Sequence, residues 1–495
     1  MIPTTLPGLL QRNRDRYGAK SALVTEDRSM THAELDDESR AVAGHLAANG
    51  VEAGTRVGVL LPNGIEWAVV ACAAWRLGAV VVPLSTLLQQ PELDAHLRIA
   101  SITHLVLVKE FRNRSLLDDV EAVRHGLPAL QYVALGDDLL HPPATEAPTV
   151  AVEPDDDFVV LFTSGSRATP KGTIHTHGSA LHAVASGLAA RTVGADDRLY
   201  IPMPFFWTGG LAAGLLTALV AGATLITEAV PEPARTLELL ERERVTLFRG
   251  WPDQAARLAA HPNFATTDLS NLRPGSLAAL LPADQRPAPG ARANVFGMTE
   301  TFGPYCGARL DLDMPVAKHG SCGQPFDGIE VRITDEAGGQ CAPGATGEIR
   351  VRGTNLMRAI CGQDPAATFD ADGFYATSDL GALDADGYLW YHGRADDMFK
   401  VKGATVFPAE VEAALRTIPG VRQAHVTDVA GAVGALVVSD AALADVVTDA
   451  RTRLSAFKVP TCWLVTTAAD AVPLTATAKV DKAALQQLLQ KEGTS

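Results

Sequence analysis

The sequence predicts an α/β protein with a large N-terminal domain of parallel-rich sheets flanked by helices, a small β-rich subdomain and a small α+β C-terminal domain. In the first half, short apolar strand patterns alternate with helical patterns, which favours parallel sheets with helices on both faces. Later segments alternate apolar and polar residues, as half-buried strands do. At 495 residues the chain exceeds one ordinary hydrophobic core, so we expect two or more domains.

The first elements follow one another closely. Residues 57–61 predict a strand, residues 67–77 an amphipathic helix and residues 79–83 a second strand. Residues 105–108 repeat the strand pattern. Residues 158–162 have the length and β-branched content of a buried strand.

An uncharged stretch from residue 200 to residue 227 could be mistaken for a membrane span. Two prolines and a glycine pair interrupt its first half, and a further glycine lies near residue 222. A buried helix over 211–220, followed by a short buried strand over 224–227, explains the pattern better.

The second half carries the predicted small domains. Residues 329–334 and 348–353 alternate as half-buried strands, and residues 441–450 predict a helix. The polar run from Arg394 to Asp397 follows an apolar segment and marks the expected domain boundary. The predicted domains are therefore 1–394 and 395–495, the second of a normal domain size.

Composition excludes several classes of protein. The net charge of −15 argues against nucleic acid, because neutralising phosphates requires clustered Lys and Arg. The six cysteines lie far apart without a C-x-x-C pair, which indicates neither a zinc site nor a disulfide framework. The N-terminus lacks the continuous apolar region of a secretory signal. A cytoplasmic protein with reduced thiols and no membrane span is the expectation.

The most informative segment runs from Thr163 to Gly172 and reads TSGSRATPKG. A strand that leads into small hydroxyl residues, a glycine and a lysine brings backbone N–H groups, hydroxyls and an ammonium together, which suits a polyphosphate. The spacing fits neither the Walker loop nor the three-glycine Rossmann pattern. A Ser/Thr/Gly-rich surface loop is the alternative for this segment taken alone.

This segment resembles the phosphate loop of the adenylate-forming superfamily, which includes acyl-CoA synthetases, adenylation domains of peptide synthetases and luciferases. Arg167 and Ala168 depart from the usual threonine and glycine. Other motifs of the superfamily follow in order: NVFGMTE at 294–300, YATSD at 375–379, GRADDMFK at 393–400, its continuation at 403–412 and PLTATAK at 473–479. Two early motifs lie at 61–63 and 78–84. The similarity therefore spans nearly the whole chain.

The resemblance implies a two-step reaction that uses ATP, Mg²⁺ and coenzyme A. A carboxylic acid first displaces pyrophosphate from ATP to give acyl-AMP, and a thiol then takes the acyl group. It also implies a mobile C-terminal domain that re-orients about Asp396. By the same resemblance, Lys479 would act in the first step on a flexible loop of that domain.

The implied roles fall on motif positions. The catalytic residues would be Lys171, Thr299, Glu300 and Lys479, with Glu300 also the metal ligand, since Mg²⁺ takes few carboxylates beside substrate phosphate. The nucleotide and coenzyme A would contact Thr163, Ser164, Gly165, Ser166, Arg167, Thr169, Lys171, Phe296, Gly297, Met298, Thr299, Asp379, Arg394, Lys400 and Gly403. Bland alternatives remain open for several: core packing for Phe296, a turn cap for Asp379, a hinge salt bridge for Arg394 and a solvated charge for Lys479.

In the superfamily, the segment after residue 204 lines the acyl pocket. The candidate pocket residues are Phe206, Trp207, Gly209, Gly210, Trp251, Phe302 and Gly303. No acid lies near Trp207 to pair with a substrate ammonium, so an α-amino acid is a poor substrate. We therefore expect a nonpolar acid, whether aromatic, alicyclic or fatty, although several of these residues could equally be plain core.

Departures from the usual motifs leave two other functions open. Ala168, Ser378 and Ala478 replace glycines that normally permit unusual backbone angles or close approach. The chain could load the phosphopantetheine arm of a carrier protein instead of coenzyme A. It could also be a non-catalytic nucleotide-binding homologue. A homodimer is left open as well.

Overall fold

The computed structural model describes residues 2–139, 147–163, 170–395, 397–401, 404–454, 457–475 and 479–493. The chain divides into two compact units. The first comprises Met1–Glu330 and Arg352–Gly373, and the second comprises Val331–Val351 and Phe374–Ser495. The predicted boundary after residue 394 stays a prediction.

A seven-stranded sheet forms the centre of the first unit. Its inner strands are parallel, whereas the two strands at one edge run antiparallel to their neighbours. In spatial order the strands are Ala359–Ile360, Lys171–Thr176, Asp157–Thr163, Val80–Pro83, Arg56–Leu60, His104–Leu107 and Tyr132–Leu135.

Both faces of this sheet are covered because its strands are apolar at successive positions. Val81 belongs to the core cluster that holds the helix Ile65–Arg76. The next residue, Val82, belongs to a second cluster with side chains of the helix Gln90–Ile99. Side chains alternate between the faces of a strand, so consecutive valines fill two separate cores. This arrangement confirms the predicted α/β class.

The first unit contains two further sheets, and the smaller one carries the candidate site residues Phe296, Gly297, Met298 and Gly303. The five-stranded sheet has the order Leu247–Phe248, Arg198–Tyr200, Thr224–Ile226, Ser21–Val24 and Ser29–Thr31. The three-stranded antiparallel sheet has the order Phe296–Met298, Gly303–Gly307 and Gln324–Pro325. A small hairpin joins Glu110–Phe111 and Arg114–Ser115.

The helices of the first unit pack mainly through leucine, valine and alanine side chains. They are Leu6–Tyr17, His32–Ala48, Ile65–Arg76, Gln90–Ile99, Leu116–Arg124, Gly136–Leu139, His177–Ser186, Leu188–Arg191, Thr208–Gly210, Leu211–Leu216, Thr217–Ala221, Pro233–Arg242 and Pro252–Ala259. The segment Leu211–Leu216 is a π-helix, so the helix predicted over 211–220 is interrupted. Among the described residues, no helix combines the length and apolar character that crossing a membrane requires.

The second unit is built mainly from antiparallel strands. Its four-stranded sheet, which begins in the first unit, has the order Ile329–Thr334, Gly347–Gly353, Tyr375–Leu383 and Leu389–Arg394. A two-stranded ribbon follows at Phe399–Val401 and Ala404–Val406. A three-stranded sheet then joins Val421–Val429, Ala432–Ser439 and Cys462–Thr466, with helices Pro408–Arg416, Leu443–Arg453 and Lys482–Glu492. The predicted strands at 329–334 and 348–353 and the helix near 441–450 are confirmed within a few residues.

Candidate active site

The phosphate loop is flanked by two antiparallel strands. Thr163 ends one strand and lies opposite Lys171, the first residue of the next. Lys171 is half-buried. The loop residues Ser164, Gly165, Ser166, Arg167 and Thr169 lie outside the described residues. The predicted strand before the loop is confirmed, whereas the strand that follows it was not expected from the sequence.

Thr299 connects that second strand to the acyl pocket candidates. The His175 Nε2–H donates to the Thr299 carbonyl at 2.8 Å. Burial lowers the pKa of His175 to about 4, so the ring is neutral at physiological pH. The Thr208 hydroxyl donates to the Thr299 hydroxyl at 3.4 Å. His175 and Thr208 were not expected from the sequence, because each contact joins residues that lie far apart along the chain.

Close backbone packing explains the glycine in the aromatic-Gly-x-Thr-Glu motif. A Cβ atom at Gly297 would lie 2.2 Å from the Gly303 carbonyl oxygen and 2.3 Å from the Pro304 Cα. Gly297 is nevertheless exposed on its other side, so its backbone can be approached closely by a ligand. Next to it, the Phe296 ring is half-buried and packs edge-on against Tyr305 at 5.6 Å. An exposed backbone beside a partly open aromatic ring fits a flat base such as adenine.

Glu300 lies in the short turn between these two paired strands. Its side chain is half-buried, and its carbonyl accepts a hydrogen bond from the Met357 N–H at 2.8 Å. Among the described residues, no three His, Cys, Asp or Glu side chains gather as a metal site. A site with few protein carboxylates fits Mg²⁺, which takes water and phosphate oxygens as its other ligands.

Residues 202–207, which we call the acyl segment, present a row of aromatic side chains. The Phe206 and Trp207 rings lie 5.3 Å apart, and Trp207 lies 5.6 Å from Trp251, in each case edge to face. Phe206 is buried, whereas Trp251 is 42% exposed. The row therefore runs from the interior to the surface, as the wall of an apolar pocket does.

The two glycines after the acyl segment allow the next helix to pack tightly against it. A Cβ at Gly210 would lie 2.1 Å from the Pro204 carbonyl oxygen, and one at Gly209 would lie 2.8 Å from the Met203 sulfur. Any larger residue at position 210 would force the helix and the acyl segment apart. The π-helix begins at the next residue, and such turns occur often at functional sites.

Phe302 and Gly303 have different surroundings. The Phe302 ring is fully buried and lies 5.0 Å from the His175 ring, within the main core. A Cβ at Gly303 would lie 3.7 Å from the Thr208 Cγ2 and 3.9 Å from the Ala212 Cβ. Gly303 thus borders the helix that follows the acyl segment, whereas Phe302 supports the site from within.

Asn63 holds the acyl segment in place, a role that the sequence analysis did not assign. Its amide nitrogen donates to the Met203 carbonyl and to the Thr227 hydroxyl, each at 3.0 Å. Its amide oxygen accepts from the Phe205 N–H at 2.7 Å. Asn63 is buried, so these bonds fix the backbone of the segment without competition from water.

In the second unit, Asp379 and Arg394 occupy paired positions on adjacent strands. The Arg394 guanidinium lies 3.6 Å from the Asp379 carboxylate. The Asp379 N–H donates to the Thr377 hydroxyl at 3.0 Å. Between them, Ser378 adopts φ +59°, the left-handed conformation that favours glycine. The residue in the glycine position of the motif therefore keeps the backbone shape that glycine normally provides.

The expected hinge residue, Asp396, and the expected thiol-channel residue, Gly403, lie outside the described residues. On either side of Asp396, the Ala395 N–H donates to the Ser378 carbonyl at 2.8 Å, and Asp397 forms an ion pair with Lys482 at 2.6 Å. Lys400 lies on the ribbon strand Phe399–Val401 and pairs in register with Thr405.

Lys479 is exposed and lies at the end of a narrow loop of the second unit. The Thr475 N–H donates to the Lys479 carbonyl at 2.7 Å, and Leu474 pairs with Val480 across the base of the loop. Residues 476–478, between these two sides, lie outside the described residues. The base of the loop is thus fixed while the ammonium is held in solvent.

Comparisons with known proteins agree with these features. Residues 10–360 match the family of AMP-binding enzymes. The chain is 33% identical to a (7a-methyl-1,5-dioxo-octahydro-1H-inden-4-yl)propanoyl:CoA ligase from Mycobacterium tuberculosis, covering 98% of this chain and 99% of the relative. It is 33% identical to a feruloyl-CoA synthase from Amycolatopsis, with coverages of 92% and 93%. The crystal structure of an anthranilate CoA ligase with anthranoyl-AMP superposes with a TM-score of 0.86 at 26% identity, covering 98% of this chain and 97% of that one.

The family match extends over most of the chain, and both relatives match nearly from end to end. The fold agrees with that of a ligase whose structure contains an acyl-adenylate. The chain therefore belongs to the AMP-binding enzyme family and is an acid–thiol ligase of the adenylate-forming type.

Proposed function

We propose that this ligase activates an aromatic or alicyclic carboxylic acid with ATP and Mg²⁺ and transfers the acyl group to coenzyme A. The aromatic row of Phe206, Trp207 and Trp251 beside Thr299 is the observation that carries the proposal. Flat or ring-containing acids gain most from such a wall, because aromatic edges and faces pack closely against rings. The named relatives act on acids of this kind.

The acyl segment also supports the exclusion of amino acids. Residues 202–210 contain no charged side chain. An ammonium group buried against these aromatic rings would find no carboxylate within residues 202–210, and desolvation of an unpaired ammonium costs several kcal/mol. A nonpolar acid carries no second charge and avoids this penalty.

In the proposed first step, a carboxylate oxygen attacks the α-phosphorus of ATP, and the bond to pyrophosphate breaks. Catalysis of such a displacement is mostly positioning and charge stabilisation. Lys171 and the loop that precedes it would hold the β- and γ-phosphates. Glu300 would bind the Mg²⁺ that neutralises them, and Lys479 would place its ammonium at the carboxylate and α-phosphate.

The remaining nucleotide contacts are proposed in the same way. Phe296 would lie against adenine, with the exposed Gly297 backbone beside it. Asp379 would accept hydrogen bonds from the ribose hydroxyls, and Arg394 would donate to ribose and phosphate. The ion pair between the buried Asp379 and the partly exposed Arg394 would orient the carboxylate before the ribose arrives.

In the second step, a thiol sulfur attacks the acyl carbon and AMP leaves with the bonding electron pair. We propose that residues 395–495 form the mobile domain that re-orients about Asp396 between the two steps. Coenzyme A is the favoured acceptor, because the relatives are coenzyme A ligases.

A pyrophosphate-release screen over aromatic, alicyclic and straight-chain fatty acids tests the proposal. We expect release with ring-containing acids that depends on Mg²⁺, and formation of the matching thioester when coenzyme A is added. A thioester on a phosphopantetheinylated carrier protein but not on coenzyme A would overturn the proposed acceptor. ATP binding without pyrophosphate release for any acid would instead indicate a non-catalytic homologue.

A further inference from the structure

A buried carboxyl group lies directly behind the acyl segment. Glu228 follows the strand Thr224–Ile226 and is 1% exposed. Its Oε2 accepts hydrogen bonds from the Tyr200 hydroxyl at 2.5 Å and from the Thr236 hydroxyl at 2.8 Å. No step of the proposed reaction uses this group.

The other carboxyl oxygen of Glu228, Oε1, has different surroundings. Among the described residues, none donates a hydrogen bond to the buried Oε1 of Glu228. Glu228 also lines a cavity of about 120 Å³, together with Asn63, Pro202, Pro204 and Phe206. Three of these residues belong to the acyl segment, and Asn63 holds that segment. The carboxyl group and the acyl segment therefore line one cavity.

The charges around Glu228 favour its neutral form. Burial, with smaller contributions from the carboxylates of Glu26 and Glu232, raises the pKa of Glu228 to about 7 against the opposing effect of the hydrogen bonds from Tyr200 and Thr236. Arg112 is the positively charged residue among the described ones that line the cavity. Tyr200, which donates to Glu228, is itself buried and titrates well above its usual range. A proton on Glu228 removes the charge that this surrounding cannot solvate.

Hydrogen bonds of Glu228 and of its neighbour Thr227 reach the residues that come directly before the acyl segment. Tyr200 ends its strand only two residues before Pro202. The residue that precedes Glu228, Thr227, donates from its hydroxyl to the Ile201 carbonyl at 3.0 Å and accepts from the Asn63 amide. The start of the acyl segment is thus tied to residues 227 and 228 through both side chain and backbone.

We propose that Glu228 is a positioning residue for the acid substrate: as a neutral carboxylic acid it fixes the acyl segment through Tyr200, and its ionisation loosens the segment and weakens recognition of the acid. The proposal rests on the proposed function, because it takes residues 202–207 as the wall of the acyl pocket. When the proton leaves to solvent, an ionised Oε1 without a donor must draw in water or move toward the cavity. Either change displaces Pro202, Pro204 and Phe206.

The experiment compares wild type with Glu228→Gln, which keeps the shape and a hydrogen-bond acceptor but cannot ionise. The KM values for a ring-containing acid and for ATP are measured by pyrophosphate release from pH 6.5 to pH 8. We expect the acid KM of wild type to rise roughly tenfold over this range, as the protonated fraction falls, with the ATP KM unchanged. In Glu228→Gln the acid KM stays flat. Glu238→Gln, an exposed acid on the adjoining helix, keeps the wild-type profile.

A second variant and a hydrogen-exchange measurement test the link between Glu228 and the acyl segment. Tyr200→Phe removes the hydroxyl that donates to Glu228 from the end of the strand Arg198–Tyr200. We expect this variant to have a raised acid KM already at pH 6.5. Hydrogen exchange of residues 200–207, corrected for intrinsic rates, should speed up toward pH 8 in wild type and not in Glu228→Gln. Parallel acid-KM profiles in wild type and Glu228→Gln would overturn the inference alone. A wild-type enzyme that activates no acid at any pH would overturn the proposed function with it.

Discussion

Ser378 shows how a motif can lose its glycine and keep its backbone. The backbone φ of Ser378 is +59°, which lies in the left-handed region. A residue with a Cβ atom is strained in this conformation. The carbonyl of the same residue accepts from the Ala395 N–H, so the strained turn anchors the segment that enters the expected hinge. A strained residue next to Asp379 is kept in place by the strand pairing around it.

We expect Ser378→Gly to stabilise the second unit by about 0.5–1 kcal/mol, because the relief of strain exceeds the extra chain entropy of glycine. Urea unfolding followed by Trp390 and Trp463 fluorescence measures the change. Ser378→Ala is the matched control: it removes the hydroxyl but keeps the Cβ, and it should bring no gain. Equal stabilisation by both substitutions would attribute the effect to the hydroxyl.

At the scale of elements, apolar periodicity predicted the inner strands of the seven-stranded sheet to within a residue or two. The strand predicted over 57–61 is Arg56–Leu60, and the one predicted over 105–108 is His104–Leu107. These strands are buried on both faces, so their sequences are apolar at nearly every position and are easily recognised. The strand Lys171–Thr176 was not predicted, because a segment with several polar residues can be identified as a strand only once its partner strand is known.

The helix after the acyl segment shows a second limit of sequence patterns. The pattern over 211–220 predicts one buried helix, but the structure has a π-helix at Leu211–Leu216 before Thr217–Ala221. A uniformly apolar helix has no polar face whose period could reveal the wider turn. The site contacts of His175 and Asn63 could not be predicted either, since each joins residues more than a hundred positions apart.

Asn63 provides the test of how the acyl segment is held. We expect Asn63→Ala to destabilise the first unit by about 3 kcal/mol, because it leaves buried partners without hydrogen bonds. It should also raise the acid KM about tenfold while leaving the ATP KM unchanged. Thermal unfolding and steady-state kinetics measure the two effects.

Two variants sharpen this experiment. Asn63→Asp keeps the acceptor for the Phe205 N–H but loses both donated bonds and buries a carboxylate against the Met203 carbonyl, so it should destabilise the first unit at least as much as Asn63→Ala. Asn263→Ala changes an exposed asparagine and should match wild type. If Asn63→Ala alters stability but not the acid KM, the residue supports the fold without positioning the pocket.

At the scale of the whole molecule, buried histidines should set the acid limit of stability. Burial lowers the pKa of four histidines of the first unit to about 4: His32, His96, His175 and His177. In the unfolded chain they would bind protons near pH 6.5, so stability is full above that pH and is lost as the pH falls toward 4. Glu228 has the opposite sign, because its raised pKa keeps a proton on the native state between about pH 4.5 and 7.

These signs predict the proton uptake on unfolding. Near pH 5.5, these four histidines gain a proton each and Glu228 loses one, so we expect a net uptake of roughly three protons (4 − 1) when the first unit unfolds. The pH dependence of the urea midpoint, followed through the buried Trp67 and Trp75, measures this number. His175→Gln keeps an N–H donor for the Thr299 carbonyl and should lower the uptake by about one proton. An unchanged uptake in that variant would show that His175 ionises in the native state.

The proposed role of Lys479 depends on the division of the chain into two units. Its ammonium lies in solvent on a loop with a fixed base, which suits a group delivered to the reacting atoms only during the first step. We therefore expect Lys479→Ala to slow acyl-AMP formation at least about a hundredfold, because a cation at the developing charge is lost. Conversion of supplied acyl-AMP to the thioester should continue at nearly the wild-type rate, since in the proposed mechanism a different arrangement of the C-terminal domain serves that step. Lys491→Ala, an exposed lysine on the last helix, should leave both rates unchanged. If Lys479→Ala slowed both half-reactions alike, the lysine would serve the mobile domain as a whole and not the chemistry of adenylation.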